Sequence, residues 1–310
     1  MDRYLSAFSN AFPVWTLSCA ALALWNPQLF SWFTGPWITY GLGIIMLGMG
    51  ITLTADDFTR VLKFPSWVVA GIFLHYCIMP FTGWLLAKIF ALPDAFAVGL
   101  ILVASCPAGT ASNVINYLAG ANVALSVTIT TLSTIIAIAL TPILTSLLAG
   151  SRMDVDAWGL FSSCLQVVLV PLALGFSLKR FLPKFSSHFT RFSPSIAVVV
   201  IALIVASVLS SGREQVLTAG PRLIIAVTLL HAIGFVLGYS LSWLINRNKT
   251  VARTVCIEVG LQNSGLGAHL ARAHFPAGSG VDVPSALSAL IQSLLGSLLA
   301  AVWRKFPSKD

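Results

Sequence analysis

The sequence predicts an all-α integral membrane protein of ten transmembrane helices, built as two inverted five-helix repeats with the fourth and ninth helices discontinuous. Three observations carry this. Of 310 residues, 57% are hydrophobic and 9% charged, with a mean hydropathy of +0.90, a balance foreign to water-soluble globular classes. The apolar residues come in runs of about 20, enough to cross a ~30 Å hydrocarbon core as helices, and they do not alternate with period two, which excludes a barrel. Finally, Gly- and Pro-bearing interruptions recur at matching places in the two halves, the pattern of transporters made of inverted repeats.

In order, the apolar runs place spans at roughly 12–33, 37–53, 66–91, 95–118, 121–149, 157–178, 193–211, 221–246, 251–271 and 284–303. The first follows a short start holding Asp2 and Arg3 with no small-residue cleavage pattern, so it is expected to be retained rather than removed as a signal peptide. The third opens at Pro65, after a polar connector that contains ADDFTRVLKF. From Ala95 to Ser151 there is no Asp, Glu, Lys or Arg, so two spans must share that stretch, divided near Ala119–Asn122. The eighth opens at Pro221 after SSGREQVLTAG, and His231 follows that proline by ten residues, as His75 follows Pro65. Five spans per half is an odd number, which inverts the second half. All five cysteines, Cys19, Cys77, Cys106, Cys164 and Cys256, fall within spans, which argues against disulfides and metal sites.

Ten spans put both termini and every second loop on one face. That face collects thirteen cations, among them Arg3, Arg60, Lys184, Lys249 and Lys309, against five on the other, Lys88, Arg152, Arg213, Arg222 and Arg272. The bias predicts cytoplasmic termini in a cell (inner) membrane. It also accounts for the net charge of +8 as a topology signal, with the lipid bilayer rather than nucleic acid as the partner.

The fourth span is interrupted by CPAGTASN, residues 106–113, and the ninth by EVGLQNSG, residues 258–265. Broken apolar segments at corresponding places mark a binding site in this class, because unwound backbone and half-helix ends are exposed there. Gly and Pro are also common in membrane helices, and hydroxyls can bond back to their own backbone. Taken alone, Ser126, Thr128, Thr130, Thr131, Ser133 and Thr134 of the fifth span therefore read as packing. Glu258 does not: an acid within a span costs on the order of 3 kcal/mol or more. Its nearest basic neighbour, Arg253, lies five residues back and off its helical face, so a bound cation is its expected partner.

With these motifs the chain resembles the bile acid:sodium symporter family, specifically the bacterial homologues of the apical sodium-dependent bile acid transporter. The resemblance covers essentially the whole chain. It implies a core of spans three to five and eight to ten (about 66–149 and 221–303), a panel of the remaining four (about 12–53 and 157–211), and a crossing of the two broken helices at mid-membrane. It implies two sodium ions. The first would be held by Ser112, Asn113, Ser126, Thr130 and Glu258, where Ser126 and Thr130, four apart, share a helical face. The second would be held by Glu258 again, Gln262 and the carbonyls of Val259 and Leu261, with His75 where the family usually has glutamine. A hard cation wants such oxygen ligands, and a protonated His75 would repel it. Thr110 and Asn263 are the side chains expected to contact substrate, whose carboxylate the positive half-helix ends would favour.

The function implied is sodium-driven symport of a small organic anion, a bile salt or a smaller carboxylate such as pantoate, with no obligate protein partner. A cation/proton antiporter of related fold is the neighbouring alternative, but those proteins resemble one another in paired membrane acids, and this chain has one at the crossover. An intramembrane hydrolase is a third class, for which the sequence offers no nucleophile elbow and no paired intramembrane aspartates.

Overall fold

A computed structural model describes residues 2–54, 59 and 63–306. Arg60 and Lys309, counted above toward topology, lie outside the described residues, as does the side chain of Arg3. Among the described residues the chain is helical, and its single β-type contact is an isolated antiparallel bridge between Ala108 and Gln262. The helices are α1 Asp2–Asn10, α2 Phe12–Trp25, α3 Pro36–Thr52, α4 Pro65–Ile89, α5 Asp94–Ser105, α6 Ser112–Leu118 and α7 Val123–Ala149. They continue with α8 Ala157–Phe181, α9 Pro183–Ser211, α10 Arg213–Asn246, α11 Lys249–Gly260, α12 Ser264–His274 and α13 Val283–Lys305. Six of them are long and apolar enough to cross a membrane: α4, α7, α8, α9, α10 from Gly220 onward, and α13.

Local chemistry sets the boundaries. Pro36, Pro65, Pro183 and Pro284 sit in first turns, where a missing N–H costs nothing. The side chains of Asn122 and Asn248 cap α7 and α11 by accepting from Leu125 N at 3.0 Å and Val251 N at 2.8 Å. Two departures from the apolar runs have the same kind of cause. The expected first span, 12–33, is helical only to Trp25, because Asn26 precedes a proline and is extended (φ −132°, ψ 91°), and a short 3₁₀ turn, Pro27–Phe30, follows. The expected span 193–211 begins ten residues early at Pro183: its first turns, PKFSSHFTRF, are helical but too polar to register in hydropathy.

Within the bundle α4 packs on α5, α7 and α10, and α10 on α11 and α13, while α3 packs on α8 and α9, and α2 on α9. The buried centre is made by such residues as Leu74, Met79, Leu100, Ile129, Leu230 and Val259. One end of the bundle joins the start of α11 to the end of α13, where Arg253 donates to Phe306 O at 2.6 Å, and the end of α8 to that of α3, where Lys179 donates to Leu53 O at 2.6 Å. The opposite end carries the ion pairs Arg152–Asp94 at 3.1 Å and Arg272–Asp282 at 2.7 Å.

Candidate functional site

Helix α5 cannot pass Pro107, which lacks an N–H, and Cys106 before it is extended (φ −69°, ψ 159°). Helix α11 ends at Gly260, with Leu261 extended (φ −113°, ψ 116°). The two breaks meet. Gly109 N donates to Leu261 O at 2.9 Å and Asn263 N to Pro107 O at 2.8 Å, so each unwound segment satisfies backbone groups that the other leaves free, as an apolar interior demands.

Side chains from neighbouring helices fasten this junction. The ring of His75 on α4 lies with Nε2 2.9 Å from Cys106 O and Nδ1 3.0 Å from Glu258 O. His231 on α10 sits in the same way beside the second break, with Nδ1 2.8 Å from Gly260 O and Nε2 2.8 Å from Ser288 Oγ. Gln292 on α13 brackets Gln262, accepting from its N at 2.7 Å and donating to its O at 2.9 Å.

Glu258 is fully buried one turn before the second break. Its Oε1 accepts from Ser126 Oγ at 2.6 Å and Asn116 Nδ2 at 3.0 Å, and its Oε2 accepts from Thr130 Oγ1 at 2.7 Å. Around it oxygens outnumber protons. The Ser126 hydroxyl has one hydrogen, yet Asn113 Oδ1 lies 2.7 Å away on its other side. The Thr130 hydroxyl likewise faces Ser126 O at 2.9 Å and Ser112 Oγ at 3.2 Å as well as the carboxylate. A cage with more lone pairs than hydrogens, around a full negative charge, is one that a hard cation completes.

The five residues expected around the first ion are thus brought together. Of the fifth span's other hydroxyls, Thr128, Ser133 and Thr134 bond back to carbonyls of their own helix, while Thr131 Oγ1 is buried without a hydrogen-bond partner. Of the second set, Gln262 Oε1 is buried without a hydrogen-bond partner and Gln262 Nε2 reaches Val259 O at 3.3 Å, while Leu261 O is engaged by Gly109. His75 meets this set through the main-chain carbonyl of Glu258, and its other nitrogen faces Cys106 O. Thr110 lines a cavity of about 210 Å³ whose walls come from α2, α3, α6, α7 and α9, with Phe12, Met49, Asn113, Ser193 and Ile201. Asn263 caps α12 by accepting from Leu266 N at 3.1 Å, and its buried Nδ2 has no partner. Asn116 and Gln292 are the side chains that sequence reasoning misses: Gln292 is an amide within the apolar run of α13, and Asn116 lies near the end of α6, four residues from Ser112.

The placement of His75 has a measurable consequence. His75→Leu leaves a buried carbonyl without its donor, a loss of about 1–3 kcal/mol, and is expected to lower the thermal unfolding midpoint of the purified protein, while His75→Gln, with an amide donor, recovers most of it. A leucine variant as stable as the parent protein would remove the fastening role.

Residues 39–219 match the Sodium Bile acid symporter family. The chain belongs to this family. It is 44% identical to the probable sodium/metabolite cotransporter BASS1, chloroplastic, of Oryza sativa subsp. japonica, over 97% of this chain and 74% of the relative. Its identity to the uncharacterized sodium-dependent transporter YocS of Bacillus subtilis is 43%, over 98% and 94%. The family member described here is therefore a multi-pass membrane transporter of metabolites, not an enzyme, with sodium as its coupling ion.

Proposed function

We propose that this family member is a symporter in which two sodium ions drive uptake of a small organic anion across the cell (inner) membrane, by alternating access through ten spans in two inverted halves. The observation that carries the reading is the proton-poor oxygen cage of Glu258 beside the junction of two broken helices. One ion sits with Ser112, Asn113, Ser126, Thr130 and Glu258. The second shares Glu258 with Gln262 and the carbonyls of Val259 and Leu261, and His75 shapes its surroundings. The paired histidines favour the repeat: each lies ten residues after a proline, Pro65 at the start of α4 and Pro221 just after the kink of α10 at Gly220 (φ 66°), and each faces a carbonyl at the end of a helix before a break.

Two features favour alternating access. Thr52 and Leu118, at helix ends on the side of the Lys179 and Arg253 contacts, line the cavity, with Ser9 and Phe12 at the start of the chain; with both termini cytoplasmic, this side is the cytoplasmic one. At the opposite end α12 is tied across to its neighbours: Arg272 donates to Ser207 O at 3.1 Å and to Ser211 Oγ on α9, and the His274 ring lies 2.7 Å from Ser163 Oγ on α8. On this reading α4–α7 and α10–α13 form the core that moves against the panel of α2, α3, α8 and α9.

The cavity is smaller than the roughly 300–1,000 Å³ of sites for drug-sized ligands, which favours a short carboxylate such as pantoate over a bile salt. Thr110 and the free Nδ2 of Asn263 are suited to its oxygens. In proteoliposomes, an inward sodium gradient is expected to drive labelled pantoate uptake, with a bile salt a poor competitor. Uptake indifferent to sodium would end the symport reading, and strong bile-salt uptake would reverse the preference in substrate.

A further inference from the structure

Asn116 is fully buried on α6 and lies one turn beyond Ser112, on the same helical face. Its Nδ2 touches two members of the first ion's cage, Ser126 Oγ at 2.9 Å and Glu258 Oε1 at 3.0 Å. Those two acceptors lie only 2.6 Å from each other, so the amide nitrogen faces the point where hydroxyl and carboxylate meet. Its Oδ1 is buried and has no hydrogen-bond partner, which is a costly state for a strong acceptor. The span's other buried amide oxygens and hydroxyls do not share this combination of one end in the cage and the other end free.

We infer that Asn116 is a further member of the first sodium site, positioning Glu258 through Nδ2 and giving Oδ1 to the ion. The inference rests on the sodium-site reading of Glu258 above. Geometry permits both roles in one side chain. The planar amide holds Oδ1 roughly 2.3 Å from Nδ2, so Oδ1 lies within about 5 Å of Glu258 Oε1, a span that two ligands of one ion bridge with bonds of roughly 2.3–2.6 Å each. Chemistry agrees, since an uncharged amide oxygen adds a hard ligand without a second acid. The site keeps a single negative charge, which suits a monovalent cation. An acid at position 116 would place two carboxylates in one cage and make it a site for a divalent ion.

The test is sodium binding to purified full-length protein, read as the sodium concentration that half-saturates thermal stabilisation, with calcium as competitor. Asn116→Leu should weaken sodium binding at least tenfold. Asn116→Asp should regain sodium binding relative to leucine and, unlike the parent protein, let calcium compete, an outcome that a merely structural amide would not produce. Asn116→Leu with parental sodium affinity overturns the inference. Where the leucine variant does not fold, the aspartate variant decides: parental sodium affinity without calcium competition overturns it. Glu258→Gln in the same assay separates the two levels. If it too binds sodium normally, the cage itself has been misread; if it alone loses sodium, only the role of Asn116 fails.

Discussion

Glu258→Ala is expected to abolish sodium-driven uptake. The carboxylate is the one full negative charge in a cage of hydroxyls and amides, and both proposed ions lean on it. Without it this cage would have to take a desolvated cation with no opposite charge beside it, which is costly in an apolar interior. The isosteric Glu258→Gln should lose uptake as fully, because shape is retained and charge is not. Stability moves in the opposite sense. Burying an ionised carboxylate is itself costly, so the glutamine variant should be no less stable than the parent protein without sodium. Sodium at a hundredfold excess over its dissociation constant should stabilise the parent by about 2.7 kcal/mol per site, and the variants not at all. Uptake by Glu258→Gln with parental sodium dependence would remove Glu258 from the coupling mechanism.

What could be read from the sequence follows the range of the forces involved. Apolar runs and helix-ending prolines are local, so the positions of α4, α7 and α13, and the breaks at Pro107 and Gly260, stand in the sequence nearly where they stand in the fold. Where hydropathy and the fold differ, a local signal of another kind decides: Asn26-Pro27 ends α2 although apolar residues continue to Phe33, and Pro183 opens α9 with polar turns that hydropathy does not report. The pairing of Gly109 with Leu261 is another matter. It joins segments some 150 residues apart, and nothing in either segment names its partner. The residues around Glu258 came through resemblance rather than periodicity, and Asn116 came through neither, because a lone asparagine near a helix end reads as a cap or a turn until the carboxylate of another helix is seen against it.

The junction itself should be as sensitive as the charge it supports. At Gly109 the two unwound backbones approach so closely that an added Cβ would lie 2.6 Å from Gln262 O and 3.1 Å from its carbonyl carbon. These are main-chain atoms, held on their far side by Gln292 and by the bond from Asn263 N to Pro107 O, so no side chain can swing away to make room. Gly109→Ala must therefore push the two breaks apart, lengthening the 2.9 Å bond from Gly109 N to Leu261 O and displacing Glu258 and Gln262 relative to Ser112 and Asn113. Overpacking of this kind costs about 1–3 kcal/mol, and since about 1.4 kcal/mol is a factor of ten in binding, sodium affinity should fall roughly tenfold or more and uptake with it. Gly43→Ala on α3 supplies the control, because a Cβ there meets nothing within 4 Å and an exchange of glycine for alanine within a helix is otherwise stabilising. Sodium-activated uptake should thus survive at position 43 and collapse at 109. Equal activity in both variants would mean that the broken helices tolerate separation and that their backbone contact does not set the geometry of the ion site.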